Sequence, residues 1–172
     1  MKRYFSFFFC FTLYSLTASS QQTMFQDSLL DHMVGNWVLQ GTIAGKETIH
    51  DIRATWVLDH EYVQLQETSR EKKASGNAEY EAIVYIGWDQ PSSQYACMWL
   101  DNTGGGGLNG QAIGHAKKND NEIAFLFTGS DGSNFHTAFA YDRKSDVWRW
   151  IMDSEEKSKL VPFARVTLKR LN

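Results

Sequence analysis

Proline is almost missing from this 172-residue chain, which has only Pro91 and Pro162. Extended proline-rich linkers are thereby excluded. Cysteine is equally scarce, with Cys10 and Cys97 alone, so no disulfide framework can hold the fold together. No apolar run reaches the length of a membrane-spanning helix; the longest lies between Tyr4 and Leu16 and is broken by Ser6, Thr12 and Ser15. Cationic excess is missing as well, since 17 Lys and Arg stand against 20 Asp and Glu for a formal charge of −3. Without a clustered basic footprint, contacts to nucleic-acid phosphates have no source, and DNA and RNA are not expected partners.

What the chain does contain begins with "MKRYFSFFFCFTLYSLTASSQQ". A basic start, a short apolar centre and a small-residue exit at Ala18, Ser19 and Ser20 describe a cleavable secretory signal over residues 1–20. The expected mature protein is one domain over residues 21–172, secreted or periplasmic, with no membrane span after cleavage. Cys10 leaves with the signal, and Cys97 in "QYACMWL" reads as a small buried apolar residue. Aromatic residues make up 14% of the chain, which favours strands.

One short helix is expected over "TMFQDSLLDHMVG", from Thr23 to Gly35. There Thr23 and Gln26 resemble a capping box, and Phe25, Leu29, Leu30 and Met33 form an apolar stripe. Beyond it the period changes to two. About ten strand-like runs follow, joined by short polar connections such as "DHE", "DQPSS", "KNDN", "SDGS" and "RKSD". Short links require antiparallel neighbours, so the expected fold is all-β: an up-and-down antiparallel barrel of about ten strands behind a short N-terminal helix.

Register arithmetic supports a common inner face. Across "DQPSS", Trp88 falls beside Tyr95, Ile86 beside Cys97 and Val84 beside Trp99. Phe139 and Thr137 meet Trp148 and Trp150 across "RKSD", and Phe125 and Phe127 join Phe135 across "SDGS". The opposite face carries His136, Arg149 and Asp153 among Ala138, Ala140 and Ile151. Large rings at alternate positions suit either a filled core or the lining of a ligand cavity.

Chemical motifs give little. Gly105-x-Gly107-x-x-Gly110 imitates a dinucleotide fingerprint, but "QAIGHAKK" behind it reads poorly as a helix. Gln111 and Ala112 stand where a phosphate loop needs Lys and Ser or Thr. The glycines read as a rim loop. The histidines, His32, His50, His60, His115 and His136, form no metal-binding pair, and "DHE" at 59–61 reads as a solvated turn, so no metal or cofactor is expected. No nucleophile elbow occurs, and no catalytic residue is assigned. Asp101, at a strand end beside the glycines, is the best polar contact for a cavity mouth.

The "GNW" of Gly35 to Trp37 resembles the Gly-x-Trp opening of lipocalin-like, or calycin, barrels. More widely, "ATWVLDHEYVQL", "IGWDQPSSQY" and "MWLDNTGG" resemble the strand pattern of secreted bacterial lipocalin-like barrels of uncharacterised function. The resemblance implies that Trp37 plugs one barrel end beneath a helical segment while a basic residue of the last strand covers its ring. Arg165 is the better match for that residue and Arg170 its rival. An echo of haem-binding Gly-x-Trp-x-Gly-x-Gly barrels is broken, because Leu39 replaces the middle glycine.

These readings lead to a barrel that binds a small hydrophobic or aromatic ligand, with Trp56, Trp99, Asp101, Phe125, Phe127, Phe139, Trp148 and Trp150 as its contacts. Two alternatives stand beside it: a barrel enzyme using Asp101 with His115 or His136, and a protein-binding module. Oligomeric state is open.

Overall fold

A computed structural model describes residues 27–103, 110–117 and 119–171. The expected signal segment, the Thr23 and Gln26 cap and most of the glycine-rich stretch lie outside the described residues. Helix α1 spans Ser28–Met33 and is capped by Asp27, whose Oδ1 accepts from the amides of Leu29 at 2.8 Å and Leu30 at 3.3 Å. Gly35 does not stop this helix; Val34 is already extended, and Gly35 opens the first strand.

Ten strands follow: β1 (Gly35–Ile43), β2 (Lys46–Val57), β3 (Tyr62–Ser69), β4 (Glu81–Asp89), β5 (Gln94–Asp101), β6 (Ile113–Ala116), β7 (Glu122–Thr128), β8 (Asn134–Asp142), β9 (Val147–Glu156) and β10 (Lys159–Arg170). Each pairs antiparallel with its sequence neighbour, and β10 returns to β1, closing an up-and-down barrel. Closure gives every strand a hydrogen-bonded neighbour on both sides. The β4–β5 register matches the expected one, with Trp88 opposite Tyr95, Ile86 opposite Cys97 and Val84 opposite Trp99; in β8–β9 Phe139 stands opposite Trp150, but Thr137 meets Met152 and Trp148 meets Tyr141.

Two places break the regular pattern. Strand β6 is only four residues long, because Gly110–Ala112 forms a 3-10 turn where the sequence suggested more strand, and one register pair joins it to β7. In β10 the register shifts between Pro162 and Ala164, a bulge at a residue that cannot donate to the ladder.

All strands run between the same two ends. The helix end is solid: Leu29, Leu30 and Met33 are buried in one apolar cluster with Trp37, Tyr95 and Trp148. Each fully buried side chain of this kind contributes about 2 kcal/mol through apolar area removed from water. The Tyr95 hydroxyl donates to Asp27 Oδ2 at 2.5 Å and ties the cap to the barrel wall. The opposite end is hollow.

The plug follows strand parity. Trp37 is 1% exposed, and its indole N–H donates to the Met33 carbonyl at 2.8 Å. The cation over its ring is Arg170, 4.0 Å from the centroid, and not Arg165. Arg170 stands directly opposite Trp37 in the β1–β10 register, whereas Arg165 lies an odd number of residues away and therefore points outward. There it binds Asp153 at 2.5 Å and the carbonyls of Met152 and Ala164. Gly35 is required beside the plug: its φ is +139°, and a Cβ there would meet the Arg170 guanidinium at 2.3 Å.

Candidate functional site

The hollow end encloses a cavity of about 760 Å³, within the range used for small-molecule ligands. One wall is apolar, with Trp99, Phe127, Phe135, Met152 and Phe163; the other is polar, with Thr48, His50, Glu67, Tyr80 and Asp101. Below the cavity lies an aromatic layer. Trp99 contacts Trp150 at 5.2 Å between centroids, Trp150 stacks on Phe139 at 4.6 Å, and Phe139 meets Phe125 edge-on at 6.2 Å. These rings separate the cavity from the solid half.

The polar wall is built from inward positions of β2 and β3. Alternation places Thr48 and His50 on the same inner face as Ile52 and Ala54, and Glu67 on that of Val63 and Leu65. His50 Nδ1 lies 2.5 Å from Glu67 Oε1, and His50 Nε2 lies 2.8 Å from Thr48 Oγ1. His50 is 4% exposed and Glu67 3%. Burial raises the Glu67 pKa above the ordinary carboxylate value; the His50 contact opposes this, and the nearby Asp101 charge adds to it. Tyr80 stacks on His50 at 5.6 Å and accepts from the Trp99 indole N–H at 3.1 Å. Burial, with the Glu67 charge beside it, pushes the Tyr80 phenol up and keeps it neutral.

The predicted contacts separate by height. Trp99, Asp101 and Phe127 line the cavity. Phe125, Phe139 and Trp150 are fully buried in the layer beneath it. Trp148 lies at the solid end, tilted on Tyr141, with its indole N–H 3.4 Å from the His32 carbonyl. Trp56 also misses the cavity, because β2 runs past the barrel floor there; its N–H donates to Asp31 at 2.9 Å and its ring stacks on His60.

The expected acid–base pair is not assembled. Asp101 faces the cavity, whereas His115 is exposed on β6 and His136 is paired outside with Glu155 at 3.3 Å. Both histidines occupy the outward parity of their strands. Cys97 is fully buried, and burial pushes its thiol up, which leaves it unreactive. Among the described residues, no group of His, Cys, Asp or Glu is arranged to hold a metal ion.

Sequence reasoning overlooked His50, Glu67, Tyr80 and Phe163. For the first two the signal was present, since each interrupts an apolar inner face by exactly two-residue spacing. Phe163 depends on the β10 bulge, which brings it beside Ala164 to the cavity mouth and against Phe135 at 5.4 Å. Tyr80 sits outside any strand, so periodicity could not place it. Gly114 completes the wall from below: a Cβ there would meet the Phe127 ring at 2.6 Å, so its absence is what lets that ring lie flat on β6. No protein-family model matches the chain, and no curated protein is significantly similar to it.

Proposed function

We propose that this is a secreted or periplasmic lipocalin-like barrel that holds a small, largely apolar ligand at its open end. The observation that carries the reading is the 760 Å³ cavity with an apolar wall facing a few convergent polar groups. The Trp37 plug, covered by Arg170 beneath a short helix, supports the likeness to calycin barrels. The sequence of residues 1–20 supports export. Asp51, Arg53, Arg149 and Lys169 are exposed on the outer wall, a distribution unsuited to a lipid-facing band. Ligand burial supplies the affinity, at roughly 25 cal/mol per Å² of apolar area, and the polar wall fixes orientation.

Tryptophan emission tests this directly. Lipids, aromatic compounds and porphyrins are titrated against the mature chain and a Trp99→Phe variant. Saturable change in the first and its loss in the second is the expected result; a flat response to the whole panel rejects the reading.

The in-line order of Thr48, His50 and Glu67 favours a second reading, hydrolysis of an ester held in the same cavity. It ranks second because an oxyanion also needs donors. Lys46, two residues along the same face, is already held by Glu71 and Glu79 at 3.3 and 3.2 Å. Turnover of a chromogenic short-chain ester that disappears in Thr48→Ala would promote it.

A further inference from the structure

We propose that the cavity selects a cationic amphiphile, with an ammonium head held by the Glu67 and Asp101 carboxylates and the Tyr80 and Trp99 rings, and an apolar tail against Phe127 and Phe163. This inference rests on the ligand-binding reading above and names the ligand's chemical class.

Charge is the first ground. Four carboxylates, Glu67, Glu71, Glu79 and Asp101, line the cavity against Lys46 and His50. Lys46 reaches the two rim carboxylates, Glu71 and Glu79, and its side chain is 60% exposed. The two inner carboxylates therefore have His50 as their only basic neighbour in the lining. An anionic head would meet net negative charge in a space where water screens poorly.

The second ground is independent of that count. Glu67 is bonded through Oε1 to His50, and since its Oε2 is neither hydrogen-bonded among the described residues nor one of the fully buried side-chain atoms, that oxygen opens onto the cavity. A carboxylate oxygen facing the cavity without a partner in the protein is free to accept from a donor on the ligand. Both carboxylates face the same cavity, and the Asp101 charge adds to the burial that raises the Glu67 pKa, so the two repel each other there. An ammonium head supplies that donor and relieves that repulsion together. A carboxylate or a plain hydrocarbon does neither.

The third ground is the aromatic content. Ring faces attract cations through their quadrupoles, most strongly where water is excluded. Tyr80 stands on the polar wall with the acids and is linked through the 3.1 Å indole bond to Trp99, the ring at which the apolar wall begins. Tyr80 stays neutral, so its ring is an electron-rich surface and not a competing charge.

The test uses three ligands with one tail, decylammonium, decanol and decanoate, titrated calorimetrically at pH 7 below their micelle concentrations. The expected order is decylammonium first by at least about tenfold over decanol, with decanoate weakest. Asp101→Asn keeps the oxygen that accepts from Thr103 at 2.8 Å, and it should erase most of the tenfold margin of decylammonium over decanol. Glu67→Gln should do the same; Asp101→Asn carries the test if that variant fails to fold. Equal or tighter binding of decanol overturns the charge selection and leaves the ligand-binding reading intact. Failure of all three ligands, together with a flat response to the wider panel, overturns both.

Discussion

At the scale of single residues, two positions repay attention because each combines burial with charge. Arg170 covers the Trp37 ring, pairs with Asp146 at 2.6 Å and donates to the carbonyls of Val34 and His32 at 3.0 and 3.2 Å. Those carbonyls end the helix and begin the first strand, so one side chain joins α1, β1 and β10. Arg170→Ala is expected to cost about 2–4 kcal/mol in urea denaturation, since it removes two bonds to part-buried backbone carbonyls and the pair with Asp146 as well as the ring contact. Arg165→Ala, on the outer face, should cost about 1 kcal/mol. Near-equal losses would mean that the plug does not anchor this end. Glu67 provides a pH test with a definite sign. Its folded pKa is raised by burial, so between the ordinary glutamate value of 4.5 and that raised value the folded state binds the proton more tightly than the unfolded chain does. Stability from this group is therefore present at low pH and is lost as pH rises through the window. Glu67→Gln removes the loss, and its denaturation midpoint should gain on the parent's between pH 4.5 and pH 7.

Elements were legible where side-chain periodicity was strong. The β4–β5 and β8–β9 hairpins have short turns and large rings at alternate positions, and a one-residue slip would turn every ring into water, so the register follows from the pattern. Helix α1 was legible as an apolar stripe but not in its start, because Asp27 caps through Leu29 and Leu30 and is fixed by Tyr95, a residue 68 positions away. No local pattern encodes that bond. Strand β6 was overestimated for a similar reason: "GQAIGHAK" alternates well, yet tertiary context turns its first residues into a 3-10 turn. The single register pair between β6 and β7 makes this the weakest seam of the barrel, beside β8–β9 and β9–β10 with long continuous ladders. Amide exchange measured by mass spectrometry should show β6 exchanging well before β9, by a local opening and not by global unfolding. Gly114→Ala should sharpen the effect, because the new methyl must displace the Phe127 ring, at a cost of about 1–3 kcal/mol.

Across the whole molecule, the arrangement is a barrel half filled and half empty. The sequence displayed the rings of both halves on one inner face, but it could not assign their heights, because height depends on where all ten strands begin relative to one another. Trp148 and Trp99 occupy equivalent parities and end in different surroundings, one under the helix and the other at the cavity wall. This division predicts that stability and binding can be separated by height. Phe139 is fully buried between Phe125 and Trp150, so Phe139→Ala opens a void among packed rings and should cost about 3–5 kcal/mol. Phe163 is 39% exposed at the mouth and rests on the Phe135 ring, so Phe163→Ala should cost about 1 kcal/mol or less and still weaken ligand binding severalfold. Denaturation and calorimetric titration of the two variants read the two halves independently. A large stability loss at Phe163, or unchanged binding there, would mean that the open end is part of the packed core and not the place where a ligand sits.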